Sequence, residues 1–446
     1  MNIVIAGDGE VGFHLARALS KVKHDITVVD PNSELLRMLE AESDLLTIAG
    51  NSTSLKTLRQ ANVQKADLLI SVLHEESINI ITCMLGKRLG AKRTIARVST
   101  QEYLNDTNRK MFSGMGIDEL VCPEKIAAQE ISRLLTKNTA TELFDFSNGL
   151  LCVYMLRIDR KALILNKTLI EVAKEFPDFG VRTVCIIRKG TTIIPNGEDK
   201  YLFNDLVYFI AKPEDVGKIK EIGGKGDYVT KNAMIVGGGR IARRTAMSLH
   251  DKIELKIIEQ DIERCNRLAN EFSDVMIING NGSDISLLED EAIDKTDAFI
   301  ALTPSTETNI MSCLYAHRQG VRKTIALVEN VNYIDISQDI GIDIIINKKL
   351  ITASYITKFT FEDEITSSKW LSNLDTEVLE LIVKENSPIT KKQLKDIKFP
   401  QGVNIGGVIR NNVAIIANGA TLLQANDKVV AFTKPESVSK LVKLLN

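Results

Sequence analysis

The 446-residue chain is duplicated: segments of its first half recur in its second half, in the same order. The paired segments are 3–19 with 233–249, 49–58 with 279–288, 66–98 with 296–328, and 185–216 with 407–438. Tyr103 and Tyr333 keep the same offset of 230 residues. This repetition predicts two copies of one structural unit, in a chain long enough for about two to four domains.

Each copy has two parts with different patterns. In the first part, short β-branched runs such as NIVIA, DITVV and TIARV alternate with helical patterns such as EVGFHLARALSKV. This alternation predicts βαβ crossovers and a parallel sheet with helices on both faces. In the second part, two strand-like runs are split at Lys189-Gly190, and at Asn411-Asn412 in the other copy. Such splits predict hairpins in a small α+β domain.

The expected fold class is therefore α/β, with two Rossmann-type, doubly wound parallel-sheet domains, each followed by a small α+β domain. The Gly-rich stretch GGKGDYVTK at 223–231 is predicted to be a linker. The predicted domains are 1–138 (Rossmann-type) and 139–222 (small) in the first copy, and 231–365 (Rossmann-type) and 366–446 (small) in the second.

A glycine loop follows the first predicted strand. Gly7 permits a tight turn, Gly9 lets the backbone approach a pyrophosphate, and Gly12 permits close packing of helix on strand. Asp30 ends the second strand about 20 residues further on, where a carboxylate accepts hydrogen bonds from ribose hydroxyls. The alternative is a tight turn in a ligand-free, flavodoxin-like domain. The predicted first nucleotide site comprises Gly7, Asp8, Gly9, Glu10, Val11 and Asp30.

The second copy carries a looser version of the same loop. Alanine at 242 replaces the third glycine, and Glu259 replaces Asp30. Three arginines near the helix start, Arg240, Arg243 and Arg244, are expected either to pair with phosphate or to lie on a solvated helix face. The predicted second site comprises Gly237, Gly238, Gly239, Arg240, Ile241 and Glu259.

Further residues are predicted at the same sheet edge, where crevice loops follow the strands. Asn51 and Ser52, with Asn281 and Gly282 in the second copy, are expected either to bond adenine or ribose or to cap the next helix. Arg97 is expected to pair with phosphate or to form a structural ion pair with a carboxylate, and Leu327 replaces it in the second copy. The residues predicted to close over the ligand are Val72 and Leu73 in the first copy and Leu302 and Thr303 in the second.

Charge and composition disfavour several function classes. A net charge of −2 and an aromatic content of 5% provide no attraction to nucleic acid and few stacking side chains. No apolar run approaches the roughly 18 residues of a membrane-spanning helix, and no secretory signal is apparent. The six widely spaced cysteines indicate buried, reduced thiols in a cytoplasmic protein.

Candidates for catalysis are poor. A dehydrogenase needs a proton-transfer group beside the nicotinamide. Only His74 of the five histidines stands at the carboxyl end of a strand in the crevice, and its counterpart is Pro304, so we interpret His74 as a surface residue. The acidic triplet Glu362-Asp363-Glu364 is interpreted as a solvated turn rather than a cation site. We expect no catalytic residue and no metal site, with the nucleotide acting as a signal that shifts a conformational equilibrium.

These residues carry a resemblance to a known family. The chain resembles the TrkA family, peripheral nucleotide-binding subunits of bacterial potassium transport built from a doubled regulator-of-potassium-conductance (RCK) unit. The motifs that carry the resemblance are IVIAGDGEVG, VVD, AGNSTS and TIARV in the first copy, with VGGGRIA and GNGSD in the second. The similarity extends over essentially the whole chain.

The resemblance implies a cytoplasmic regulatory subunit, peripheral to the inner face of the cell membrane. It implies NAD(H), or an adenine nucleotide (ATP or ADP), as the ligand. It also implies an integral-membrane, potassium-translocating partner of the TrkH or TrkG type, and a homo-oligomer. The assembly expected is a tetramer with eight modules in a ring, or a dimer in isolation.

Two other functions stay open at this point. The chief alternative is an NAD-dependent dehydrogenase with duplicated domains. The other is regulation of a different cation channel or antiporter through the same module.

Overall fold

The structure is a computed structural model, and it describes most of the chain. The described residues are 1–7, 9–20, 24–42, 45–136, 142–158, 160–177, 180–188, 191–223, 229–357, 359, 365–370 and 376–445. Lys189-Gly190, residues 224–228 of the predicted linker and the acidic triplet at 362–364 lie outside the described residues.

The first half begins with a parallel six-stranded sheet. Its strands are β1 (Asn2–Ala6), β2 (Asp25–Asp30), β3 (Leu46–Ala49), β4 (Leu68–Ser71), β5 (Arg93–Arg97) and β6 (Glu119–Val121). Its helices are α1 (Glu10–Ser20), α2 (Ser33–Glu42), α3 (Leu55–Gln60), α4 (Glu76–Leu89) and α5 (Asp106–Gly114), and α6 (Pro123–Thr136) follows β6. The strand order is β3-β2-β1-β4-β5-β6. The central strands β1 and β4 are almost wholly buried because helices cover both faces.

An antiparallel five-stranded sheet follows. Its elements are β7 (Glu142–Phe146), β8 (Leu151–Arg157), α7 (Leu169–Glu175), β9 (Val181–Arg188), β10 (Thr191–Ile193), β11 (Leu206–Ala211) and α8 (Val216–Ile222). The order is β10-β9-β11-β8-β7. A capping box starts α7: Thr168 accepts from the Glu171 amide, while the Glu171 carboxylate accepts from the Thr168 amide at 2.7 Å.

The second half repeats the parallel sheet. Its strands are β12 (Asn232–Val236), β13 (Glu254–Glu259), β14 (Met276–Asn279), β15 (Ala298–Ala301), β16 (Lys323–Leu327) and β17 (Ile344–Ile346). Its helices are α9 (Arg240–Leu249), α10 (Ile262–Glu271), α11 (Ile285–Asp290), α12 (Thr306–Arg318) and α13 (Ile334–Asp339), and α14 (Lys348–Thr357) follows β17. The order β14-β13-β12-β15-β16-β17 has the topology of the first sheet.

The second antiparallel sheet also matches the first. Its elements are β18 (Ile365–Trp370), β19 (Glu377–Ile382), β20 (Val403–Arg410), β21 (Val413–Ile416), β22 (Lys428–Thr433) and α15 (Pro435–Leu445), in the sheet order β18-β19-β22-β20-β21. The same ion pair recurs in both small sheets: Arg188 contacts Asp205, and Arg410 contacts Asp427, each at 2.8 Å. The predicted class, two Rossmann-type domains each with a small α+β domain, is confirmed.

The chain divides into two compact units. One contains residues 1–126 and 348–363, and the other contains 127–347 and 364–446. In the first unit α14 packs on α1, with Ala353 and Ile356 in the same buried cluster as Leu15 and Leu19. The helix that follows the second parallel sheet thus completes the core of the first. The domain boundaries drawn from sequence stay a prediction.

In the second unit, the two small sheets share one buried cluster. Val184 and Ile210 belong to it together with Val430 and Phe432. Gly406 permits this approach, since a Cβ there would lie 2.9 Å from Cγ1 of Val184.

None of the described helices has both the length and the apolar character that crossing a membrane requires. All six cysteines are buried, as the sequence predicts, and the structure pairs none of them in a disulfide.

Candidate functional site

The carboxyl ends of the central strands bring the predicted first-site residues to one edge of the first parallel sheet. The Gly7 amide donates to the Val29 carbonyl at 3.2 Å, and the Gly50 amide donates to the Asp30 carbonyl at 3.0 Å. The Val72 amide donates to the last residue of β1 at 2.8 Å. The loops after β1, β2, β3 and β4 therefore meet in one crevice, where doubly wound sheets bind their ligands.

The first glycine loop is packed tightly on itself. A Cβ on Gly7 would lie 2.9 Å from the Cα of Gly12 and 3.3 Å from Cγ2 of Val72. A Cβ on Gly9 would lie 2.9 Å from Cε1 of His74. Each of the three glycines therefore stands where a side chain would meet a neighbour.

Other predicted residues of this loop are described only in part. Asp8 lies outside the described residues, as does the side chain of Glu10, while Val11 is half-buried. The Phe13 amide donates to the Gly9 carbonyl at 3.1 Å, so the first turn of α1 begins at the loop.

Asp30 lies at the end of β2 with its side chain fully buried. Its Oδ1 accepts a hydrogen bond from the Asn32 amide at 2.7 Å. Asn32 in turn accepts from the Glu34 amide at 3.0 Å and so holds the start of α2. The position fits a carboxylate that accepts ribose hydroxyls at the carboxyl end of the second strand.

The rim of the first crevice uses several of its polar groups internally. Asn51 accepts from the amide and the hydroxyl of Thr53, both at 2.9 Å, which forms an Asx turn ahead of α3. Ser52 is buried, and its hydroxyl lies 3.0 Å from that of Thr82 on α4. Arg97 ends β5 half-buried, and it forms no ion pair with any residue that the structure describes.

Val72 and Leu73 are buried, and their positions depend on a residue that the sequence analysis missed. Asn79 on α4 accepts from the Leu73 amide at 2.8 Å and donates to the Leu73 and Arg97 carbonyls, both at 2.9 Å. It ties the loop after β4 to the end of β5. Asn309 makes the corresponding bonds to Thr303 and Leu327. The sequence signal that could have indicated this role is the recurrence of asparagine at matching positions of the two copies, Asn79 and Asn309.

The second glycine loop differs in conformation. Gly237 has a φ of 94°, and a Cβ there would lie 3.0 Å from the Leu302 carbonyl, so both geometry and space require glycine. Gly239 caps α9, and a Cβ on it would meet nothing within 4 Å. Ile241 is buried, and Leu302 is 6% exposed.

Glu259 accepts three hydrogen bonds at the end of β13. Its Oε2 accepts from the Gly238 amide at 2.7 Å and from Nη1 of Arg264 at 2.9 Å, and its Oε1 accepts from the Asp261 amide at 2.8 Å. Burial favours the neutral form of Glu259, but these hydrogen bonds outweigh it and lower the pKa of the carboxyl below its ordinary value.

The remaining second-site residues have structural contacts. Asn281 forms an Asx turn with Ser283 at 3.1 Å, and a Cβ on Gly282 would overlap Val236. Arg240 is exposed at the start of α9, whereas Arg243 pairs with Glu271.

The predicted catalytic candidate, His74, lies at the first glycine loop. His74 is exposed, with its ring against Gly9. No group of three or more His, Cys, Asp or Glu side chains in the described ranges is placed to hold a metal ion.

The chain matches two family descriptions, the TrkA-N domain at residues 3–123 and 233–348 and the TrkA-C domain at residues 378–446. It is 32% identical over 445 residues to a Trk system potassium uptake protein TrkA homolog of Archaeoglobus fulgidus, which covers 100% of both chains. It is 31% identical over 436 residues to the Trk system potassium uptake protein TrkA of Halomonas elongata, over 97% of this chain and 95% of the relative.

Solved structures share the fold. The GsuK channel bound to NAD aligns with a TM-score of 0.59 and 17% identity, over 100% of this chain and 78% of the channel chain. The GsuK RCK domain aligns with a TM-score of 0.59 and 16% identity, over 100% of this chain and 94% of the RCK chain. A GsuK structure bound to ADP aligns with a TM-score of 0.50 and 14% identity, over 80% of this chain and 68% of the GsuK chain. With tandem TrkA-N domains and full-length relatives at this identity, the chain belongs to the TrkA family of potassium uptake proteins.

Proposed function

We propose that the chain is a nucleotide-sensing regulatory subunit that gates a membrane potassium-translocating subunit. The observation that carries this proposal is the buried Asp30 carboxylate at the end of β2, beside the glycine loop after β1, in a chain of the TrkA family. The absence of a side chain at Gly9 is the feature that would let a pyrophosphate approach the backbone, and a carboxylate at the position of Asp30 would accept the ribose hydroxyls. The ligand proposed is NAD(H), with ATP or ADP as competing adenine nucleotides. A neighbour of the same fold is described as bound to NAD and another as bound to ADP, which supports this choice.

Nucleotide binding would act by favouring one of two arrangements of the chain, because a ligand shifts a conformational equilibrium only by its differential affinity. The proposed partner is an integral-membrane subunit of the TrkH or TrkG type, with the chain peripheral to its cytoplasmic side. The duplicated modules are proposed to form a closed homo-oligomer, a tetramer on the partner or a dimer in isolation.

The test is potassium (rubidium) uptake in proteoliposomes that hold the membrane subunit co-purified with the full chain. We expect NADH or ATP to change the uptake rate with the parent chain, and we expect Asp30→Ala to need a higher nucleotide concentration for the same change. Failure to retain any membrane subunit, or uptake indifferent to every nucleotide, would contradict the proposal. Recovery of a different cation channel or antiporter would favour that alternative.

The dehydrogenase alternative rests on His74, whose ring lies against Gly9. Its counterpart Pro304 has no proton to transfer, so the second copy lacks a matching group at this position. Absorbance at 340 nm distinguishes the two functions: we expect neither oxidation of bound NADH by 2-oxo acids nor reduction of bound NAD⁺ by 2-hydroxy acids. Sustained turnover would favour the enzyme.

A further inference from the structure

The carboxylate of the second site is already engaged by the protein. Glu259 is 6% exposed and accepts hydrogen bonds from the Gly238 and Asp261 amides and from Arg264. A carboxylate offers about four acceptor positions in all. One position is therefore left for a ligand.

A ribose without a 2′-phosphate needs more than one acceptor position on Glu259. Its 2′- and 3′-hydroxyls bring two donors to the carboxylate, so one of the three existing bonds must break. Two of those donors belong to the backbone, whereas the Arg264 side chain is 40% exposed and is the group able to move. Binding of NADH at this site therefore has to break the pair between Arg264 and Glu259.

A ribose with a 2′-phosphate needs only one acceptor position on Glu259. It brings one hydroxyl donor, the 3′-hydroxyl, which matches the one acceptor position left on Glu259. Arginine has five N–H donors, so Arg264 can keep its bond to Glu259 and still donate to the phosphate. The contact with Arg264 also offsets the negative charge of Glu259, which would otherwise repel the phosphate. The Asp261 carboxylate also faces Arg264: it accepts from the Arg264 amide at 3.0 Å, and its Oδ2 lies 3.9 Å from Nη2 of Arg264. Asp261 is 45% exposed, so solvent screens its repulsion of the phosphate.

The first site lacks this arrangement. Helices α2 (Ser33–Glu42) and α10 (Ile262–Glu271) align residue for residue, with Leu39 and Leu268 buried at matching positions. Leu35 occupies the position of Arg264 and has no group that pairs with Asp30.

We propose that the second site binds a dinucleotide with a 2′-phosphate, NADP(H), and that Arg264 determines this specificity. The inference rests on the proposed function, in that both glycine loops bind dinucleotide. It assigns different ligands to the two copies: NAD(H) to the first and NADP(H) to the second. The chain would then respond to two nucleotide pools.

The experiment is calorimetric titration of the full-length chain with NADH and with NADPH, using Gly9→Val to disable the first site. In this background we expect NADPH to bind at least as tightly as NADH. Adding Arg264→Leu, the residue that the first copy carries, should weaken NADPH about tenfold or more and strengthen NADH. The reciprocal Leu35→Arg in a Gly239→Val background should raise the NADPH affinity of the first site. Circular dichroism checks that each variant is folded.

The outcomes separate the two proposals. Tighter binding of NADH than of NADPH in the Gly9→Val chain, or no change on Arg264→Leu, would overturn the specificity proposal and leave the assignment of the first site intact. A second site that binds neither dinucleotide would also overturn it. A parent chain that binds no nucleotide at all would overturn the proposed function as well.

Discussion

Gly7 and Gly12 approach so closely that a Cβ on either would lie within 3.0 Å of the other residue's Cα. The contact joins the first strand to the first helix at the first glycine loop. In the second copy Ala242 takes the place of Gly12 and is fully buried, and Gly237 adopts a positive φ there. The two loops thus differ in backbone conformation as well as in sequence.

Gly12→Ala tests this contact, because it gives the first copy the residue found in the second. The added methyl meets backbone rather than a movable side chain, so we expect a loss of about 1–3 kcal/mol in stability and weaker NADH binding. Ala242→Gly is the matched control, with an expected loss of about 0.5–1 kcal/mol. Differential scanning calorimetry measures both. Equal effects of the two variants would show that the contact does not constrain the loop.

Selectivity at the first site is predicted to depend on Asp30. No arginine follows it immediately, since the next residues are Pro31, Asn32 and Ser33. A 2′-phosphate would bring like charge to the carboxylate and remove a donor, so NADH should bind about tenfold to a hundredfold more tightly than NADPH. Asp30→Ala should weaken NADH and narrow that gap. Titrations in a Gly239→Val background isolate the first site, and equal affinities in the unmutated first site would refute this role of Asp30.

Asn79 is predicted to stabilise the loop after β4. Asn79→Ala removes its bonds to the Leu73 amide, the Leu73 carbonyl and the Arg97 carbonyl and leaves these groups without that partner. We expect the free energy of unfolding, measured by urea denaturation, to fall by about 2–3 kcal/mol, and we expect nucleotide binding to weaken. Asn51→Ala is the control, because Asn51 is exposed in a local turn, and it should cost less than about 1 kcal/mol. Comparable losses for both variants would contradict the assignment.

Glu259 gives a pH prediction. Its pKa is lowered in the folded chain, so its ionised form contributes stability above its unfolded pKa of about 4.3. That contribution is lost as the pH falls through the lowered pKa. Glu259→Gln should therefore unfold at a lower temperature than the parent at pH 7, because its free energy of unfolding is lower by about 1–3 kcal/mol. This difference in unfolding free energy should shrink towards pH 3. A gap that is constant from pH 7 to pH 3 would show that ionisation of Glu259 is not its source.

Much of the architecture was predictable from local patterns. Alternating strand and helix runs predicted the two parallel sheets. The spacing between Gly7 and Asp30 predicted that these two residues lie at one edge of the first sheet. This works because parallel strands joined by helices bring their carboxyl ends together whatever the side chains are. The matched ion pairs Arg188–Asp205 and Arg410–Asp427 follow from the same duplication.

What was missed depends on contacts between distant segments. Asn79 reads as an ordinary polar residue of a helix until the fold brings the Arg97 carbonyl to it. Arg264 reads as a surface arginine until Glu259 is placed beside it. The packing of α14 on α1 joins opposite halves of the chain, and no local periodicity indicates which helix will cover a given face.

The most direct test of the account is calorimetric titration of the full-length chain with NADH, comparing the parent with Gly9→Val and Gly239→Val. A side chain on Gly9 points at the movable ring of His74, and one on Gly239 meets nothing within 4 Å, so both variants should fold. We predict that Gly9→Val loses the higher-affinity NADH binding, whereas Gly239→Val retains it. High-affinity binding that persists in Gly9→Val would contradict the placement of the nucleotide at the first glycine loop.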